Sequence, residues 1–375
     1  MNFAGIQMGS TTSCVGGETA SVRTGEELMI AHLARDTQAV TAEDDGKIIE
    51  VTGSYIAVQY GSGKNVEVKK YRLGRHFGRH EGGTYPQDIK SDLKAGSSFK
   101  KGTVITYNAM HFEPDVFNKG QVNWKPGPIV SAFFIEGNDT IEDSSAIDKE
   151  TSAKLATDVS KPKCISIRFD EAVHNLVAVG TEVDPETILC NIEDPLTATS
   201  NAFSEESKRT LDNISDASPR AGVAGVIDKI EVFYNGQIED MSPTLAAIAK
   251  AGDKRRKLEA AVSPDTLAET GQVDSSLRLD GRPVELDKLV IRLYITHRSP
   301  AIGGDKCVVA NQMKSTFRRR MVGRNYVDDG QAINIIFGRK SVDERIVYSV
   351  YQIGVATTWG RLMATAARKL VAEMG

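Results

Sequence analysis

Gly303-Gly304-Asp305-Lys306-Cys307-Val308-Val309-Ala310-Asn311-Gln312-Met313-Lys314-Ser315-Thr316-Phe317-Arg318-Arg319-Arg320 opens a basic stretch that runs to Arg345. Lys314 follows Lys306 by eight residues, Arg324 follows the three arginines, and Arg339, Lys340 and Arg345 close the stretch. Asp305, Asp328, Asp329, Asp343 and Glu344 offset these cations. The chain as a whole carries a formal net charge of −4, so the concentration is local. Local positive charge on a globular scaffold suits phosphate binding. The competing reading is a solvated face, the ordinary fate of surface Lys and Arg.

The 375 residues allow two or three domains or one composite one, with a hydrophobic fraction sufficient for a sizeable core. No apolar run reaches the length of a transmembrane helix, and Met1–Thr12 lacks the basic and apolar regions of a signal peptide. Cys14, Cys164, Cys190 and Cys307 are too scattered for a Cys-x-x-Cys zinc site, so free thiols in a reducing compartment are expected. His76 and His80 have the four-residue spacing of two helical metal ligands, but the surrounding glycines argue against a helix.

Residues 1–23 read as an irregular arm, followed by a short helix with Thr24 as cap and Glu27 as its reciprocal partner. Lys47–Val51, Tyr55–Tyr60 and Asn65–Tyr71 read as strands joined by Gly- and Ser-containing turns. Further strands are expected at Thr103–Tyr107, Ile129–Ile135, Cys164–Phe169, Asn175–Val179 and Thr187–Ile192. Glu142 and Asp143 are adjacent carboxylates just beyond the apolar Ile129–Ile135 run. They either start a helix from Ser144 to Leu155, where negative charge suits the N-terminal dipole, or stand at a site at the strand's end. Residues 194–220 are polar and read as a mobile loop or weakly structured insertion. Gly225–Tyr234 is a strand ending in an Asn235-Gly236 hairpin signal. Ser242-Pro243 opens a helix that Gly252 is expected to break. Leu289–His297 is a strand that leads into the basic stretch, and Trp359–Met374 is an amphipathic helix.

Several of these segments resemble, in order, the carboxyl-terminal half of the β subunit of multisubunit DNA-directed RNA polymerases. Val22-Arg-Thr-Gly-Glu-Glu, Tyr71-Arg-Leu-Gly-Arg-His-Phe-Gly-Arg, Lys100-Lys-Gly-Thr-Val-Ile and Gly137-Asn-Asp-Thr-Ile-Glu-Asp-Ser each resemble a run of that family. Val179-Gly-Thr-Glu-Val and Gly222-Val-Ala-Gly-Val-Ile-Asp-Lys-Ile-Glu-Val-Phe resemble the two sides of its flap, or wall. Gly304-Asp-Lys with Lys314 resembles its active-site lysine segment, although the family's Gly-Arg-His between the lysines is replaced here. The family's amino-terminal lobes and its terminal clamp-facing helices have no counterpart, so the chain resembles the split β subunits of giant (jumbo) bacteriophages.

The resemblance implies a β-dominated α+β fold, a double-psi β-barrel core with an inserted barrel-sandwich-like flap module. Residues 1–165 would hold the arm, hairpin region and first barrel half; 166–284 the flap; and 285–375 the second barrel half and terminal helix. It implies a nucleotidyltransferase that transcribes DNA as a multisubunit complex and is inactive as a single chain. Lys306 and Lys314 would touch the backbone near the RNA 3′ end, and Arg345 would grip the incoming triphosphate. Glu142 and Asp143, Asp143 foremost, would lie near the nucleotide-borne metal. Arg318, Arg319 and Arg320 have no counterpart and divide between nucleic-acid contact and a surface facing β′. Mg2+ would be shared and held mainly by a β′-like subunit. The partners implied are an N-terminal β-like fragment, β′-like fragments, DNA template, RNA and NTPs, with no membrane, inside the cell (the host cytoplasm for a viral chain), with packaging in the virion as the alternative. Two readings from other classes remain: a non-catalytic structural or virion protein, and a carrier-type β-barrel protein. The latter follows from the likeness of Asp45–Val51 and Lys100–Ile105 to biotin and lipoyl carriers.

Overall fold

A computed structural model describes residues 11–20, 22–23, 25–35, 37–61, 66–80, 82–195, 218–260, 270–310 and 313–374. Its spine is a pair of twelve-residue strands, Thr157–Arg168 and Lys288–Ser299. They pair antiparallel without a register shift, from Thr157 opposite Ser299 to Arg168 opposite Lys288. Alternating Ile165, Ile167, Leu289, Ile291, Leu293 and Ile295 are buried, which places both strands in one hydrophobic core. Gly225–Asn235 adds to the outer side of Lys288–Ser299, and Gly83–Lys90 touches Thr157–Arg168 at Ser160. The chain is β-dominated with few helices among the described residues, an α+β arrangement of mostly antiparallel sheets.

A hairpin of Gly74–His80 and Gly83–Lys90 joins this sheet. Phe77 stacks on Tyr294 at 4.1 Å, and Arg75 pairs with Asp228 at 2.7 Å. Deeper in, buried Glu231 accepts from Arg292 at 2.8 and 2.5 Å and lies 3.1 Å from Lys229. Surrounding a buried carboxylate with several donors is what makes its burial tolerable. His76 and His80 thus lie on a strand, and the helical ligand spacing does not apply to them.

A second sheet of five strands is built from two distant segments. Its order is Ala132–Phe134, Ile335–Phe337, Ser144–Ile147, Met313–Arg320 and Lys306–Val309. Two of the pairings are parallel: Ala132–Phe134 with Ile335–Phe337, and Ser144–Ile147 with Met313–Arg320. Parallel neighbours require long connections, and here each pairing joins the first segment to the second. Ile147, Met313, Phe317, Ile335 and Phe337 pack beneath with Val342 and Val350. Phe134 meets Phe337 and Tyr351 edge-on, at 6.3 and 5.0 Å between centroids.

Several local expectations change. Ser144–Ile147 is a strand, not the start of a helix; the helix is Lys149–Lys154, capped by Asp148, whose carboxylate accepts from the Thr151 N–H at 2.7 Å. Asn235-Gly236 closes no hairpin: the chain passes into a 3-10 turn, Ile238–Asp240, and then a helix, Pro243–Ala260. Gly252 does not break that helix. It lies at a close approach, where a Cβ would be 3.2 Å from Thr270 Oγ1 and 3.5 Å from Val232 Cβ. The strands expected at Asn175–Val179 and Thr187–Ile192 form instead at Ala172–His174 and Asn191–Glu193. The first helix, Glu26–Leu33, has Gly25 before it, and Glu27 accepts from the Gly25 N–H at 3.2 Å; Thr24 lies outside the described residues. So do residues 196–217 of the polar 194–220 stretch. Thr157–Arg168 runs across the boundary expected after residue 165, and Gly225–Asn235 of the middle segment shares the large sheet with Lys288–Ser299.

The last helix, Ser349–Met374, begins against the second sheet at buried Val350 and then leaves it. Trp359, Leu362, Met363 and Leu370 are more than half exposed along it. Among the described residues, no helix is long and apolar enough to cross a membrane.

Candidate functional site

The basic stretch folds as a hairpin of Lys306–Val309 and Met313–Arg320 at the edge of the five-stranded sheet. The turn before it explains its glycines. Gly304 has φ 99°, and a Cβ on Gly303 would lie 2.7 Å from the Arg318 carbonyl oxygen. The Gly304 N–H donates to Phe317 O at 2.7 Å, and the Phe317 N–H donates to Asp305 O at 2.9 Å. Asp305 spends its carboxylate on the Ile302 N–H at 2.9 Å, which fixes the turn.

Pleating then sorts the side chains. Met313, Ser315 and Phe317 are buried, while Lys314, Thr316 and Arg318 face out. Lys306 stands opposite Thr316 and Val308 opposite Lys314, so both lysines share the outer face as diagonal neighbours. Both are exposed, and neither has an anionic partner among the described residues. Cys307 points the other way, and burial pushes its thiol up to about 11, which keeps it unreactive.

On the far side of Met313–Arg320, the strand Ser144–Ile147 aligns Ser144 with Thr316. The Thr316 N–H donates to the Asp143 carbonyl at 3.1 Å, and Ser315 Oγ donates to Ser145 Oγ at 2.8 Å. Asp143 therefore sits level with Thr316 and Lys306. Arg345, between the helices Arg339–Asp343 and Ser349–Met374, closes over it. Its guanidinium forks onto the Asp143 carboxylate, Nη1 to Oδ1 and Nη2 to Oδ2, the second at 2.5 Å. Asp143, Met313, Lys314 and Arg345 line one cavity of about 220 Å³. Residues 202 positions apart in the chain thus meet in one site.

Glu142 is exposed and has no partner among the described residues. Glu142 and Asp143 have φ of 50° and 62°, and Ile346 beside Arg345 has 55°. Left-handed backbone at non-glycine residues is costly and persists only where surrounding contacts enforce it.

The three arginines separate. Arg319 makes a bidentate pair with Asp139 at 2.9 and 2.7 Å, and Arg318 donates to the Asn138 carbonyl. Arg320 is exposed, without an anionic partner among the described residues. Arg318 and Arg319 therefore anchor the loop that delivers Asp143, a role additional to the two expected from sequence. Asp139 is a site-building residue that sequence reading passed over. Its signal was its position four residues before Asp143, within reach of a basic strand.

The Arg345 fork holds the Asp143 carboxyl below the usual carboxylate range, against the opposing effect of partial burial. Arg319 does the same for Asp139. For a depressed pKa the stabilisation is fully present above the unfolded value and is lost as pH falls through the folded one. The contribution of these pairs to the urea midpoint is therefore expected to be full and independent of pH near neutrality, and to be lost below about pH 4, the ordinary carboxylate pKa. Asp139→Asn with Asp143→Asn should flatten that acid limb; an unchanged slope would refute the assignment.

Among the described residues no group of three or more His, Cys, Asp or Glu side chains could hold a metal ion. Both Asp143 oxygens are engaged by Arg345, which leaves Glu142 as the free carboxylate of the site. The donor set of the described residues does not fit a self-contained metal centre at this site. No protein-family model matches the chain, and no curated protein matches its sequence.

Proposed function

We propose that the chain is one subunit of a DNA-directed RNA polymerase, the carboxyl-terminal part of a split β subunit. The observation that carries this reading is the convergence of Lys314, Asp143 and Arg345 on one cavity at the five-stranded sheet, with Lys306 the diagonal neighbour of Lys314 on the outer face. The parallel pairings between residues 132–147 and 313–337 support a double-psi barrel as the core that delivers them. RNA synthesis joins a 3′-hydroxyl to an α-phosphate, and positioning with charge neutralisation supplies most of the rate.

In this reading Lys306 and Lys314 bind the phosphates near the RNA 3′ end, as mobile point charges that carry no sequence information. Arg345 binds the triphosphate through its planar fork, which matches two phosphate oxygens. Asp143 and Glu142 face the nucleotide. Mg2+ would be shared with, and held mainly by, carboxylates of a β′-like partner, and would neutralise charge at the reacting phosphate. An N-terminal β-like fragment, β′-like fragments, DNA and RNA complete the assembly in the cell where transcription occurs, the host cytoplasm for a viral chain. The exposed apolar stripe of Ser349–Met374 also supports a chain that works in a complex.

The isolated chain is expected to show no primer extension on an RNA–DNA scaffold, and the complex co-purified from expressing cells is expected to extend it. Robust synthesis by the chain alone would overturn the split-subunit reading. A complex equally active without this chain would favour a non-catalytic structural protein instead, and a lysine-linked biotin or lipoate found by mass spectrometry would favour a carrier.

A further inference from the structure

We propose that Asp143 is an internal ligand of Arg345, a carboxylate that occupies the guanidinium fork until the polyphosphate of the incoming nucleotide displaces it. The inference rests on the reading of Arg345 as a triphosphate-binding residue and adds a specific competitor to it.

Three observations converge. First, the pair is bidentate and lies in the cavity that Lys314 also lines, so carboxylate and phosphate would compete for the same donors. Second, backbone strain brackets the pair: Glu142 and Asp143 on one side and Ile346 on the other all have left-handed φ. Such conformations persist when contacts enforce them, and the fork is one of those contacts. Third, the rest of the loop is tied down independently, by Arg319 on Asp139 and Arg318 on the Asn138 carbonyl. Only its last residues, Glu142 and Asp143, are left to move. The Asp143 carbonyl stays anchored on the Thr316 N–H at 3.1 Å, so a rotation of the side chain is enough.

The consequence is an Arg345 that is held in place and kept from other anions while the nucleotide is absent. A phosphate that reaches the cavity takes over the fork, and Asp143 turns outward beside Glu142, toward the side from which a partner's groups would approach. Binding at Arg345 is therefore weaker than the fork alone could give, and the deficit is the strength of the Asp143 pair.

The test is titration calorimetry of inorganic tripolyphosphate into the full chain. Asp143→Asn keeps the shape and removes the charge, and is expected to tighten binding roughly tenfold, the scale of one charge-assisted contact. Asp143→Ser is the second variant, in case the amide rebuilds a hydrogen bond to Arg345. In an Arg345→Ala background both changes should have a clearly smaller effect, because only the general repulsion between the Asp143 carboxylate and the anion is then relieved; an equally large tightening there would refute the internal ligand. If both Asp143 variants bind tripolyphosphate as wild type or more weakly, while Arg345→Ala weakens it, the internal ligand is refuted and the phosphate-binding role of Arg345 stands. If Arg345→Ala leaves binding unchanged, both readings fall.

Discussion

Replacing Lys306 or Lys314 by Ala is expected to slow single-nucleotide addition roughly ten- to a hundredfold in the assembled complex. Each lysine is exposed and free of an anionic partner among the described residues, so its removal costs little within this chain. What the proposed role would lose is a charge-assisted contact to phosphate, about 1.5–3 kcal/mol, and each 1.36 kcal/mol is about tenfold in rate. Arg345→Ala should act differently, mainly by raising the nucleotide concentration required, because the ligand proposed for it is the triphosphate. Lys340 is the control: it belongs to the short helix Arg339–Asp343, and its backbone N–H, not its side chain, contacts Glu136 at 2.7 Å. The measurement is addition of one nucleotide on a preassembled RNA–DNA scaffold at several nucleotide concentrations. Equal effects from all four substitutions would reduce the site to a diffuse basic surface.

Phe337→Ala is expected to destabilise the chain by about 3–5 kcal/mol, the usual cost of truncating a fully buried aromatic side chain. Phe337 is 0% exposed, pairs opposite Phe134 on one neighbour and Ser145 on the other, and packs edge-on to the Phe134 ring. It therefore binds together the two segments that carry Asp143 and the lysines. A large fall in the urea midpoint should be accompanied by loss of tripolyphosphate binding, since the cavity needs both segments in register. A loss below about 1 kcal/mol, the scale of an ordinary surface change, would mean that the two segments do not share this core.

Much of the site was legible in the residues. The Gly-Asp-Lys turn, the two lysines and the isolated arginine near the end marked a cationic stretch, and Glu142-Asp143 stood out beyond an apolar run. The outward face of Lys314 follows from the alternation of Met313, Lys314, Ser315, Thr316 and Phe317 on a strand that the sequence reading did not assign, and that of Lys306 from its pairing with Thr316. The helix expected at Ser144 failed for a tertiary reason. Ser145, Ala146 and Ile147 are buried between two strands supplied by residues far along the chain, and sheet pairing outweighed the local preference for a charged helix start. The strand expected to begin at Cys164 begins at Thr157, passing through Pro162. Beyond Ser160 opposite Thr84, that strand has one paired neighbour, so proline's missing N–H is tolerated there.

Hydrophobic period and turn chemistry are properties of neighbours in sequence. They sufficed for the strand expected at Leu289–His297, which runs from Lys288 to Ser299, and for the helix opened by Ser242-Pro243. Which cation meets which carboxylate is a property of neighbours in space. Arg345 finds Asp143, Arg319 finds Asp139, and Glu142 is left open because two segments about 200 residues apart cross in parallel within one sheet. Coulomb attraction and hydrogen-bond geometry act over a few ångströms and are indifferent to sequence separation, so the choice among these partners belonged to the tertiary structure.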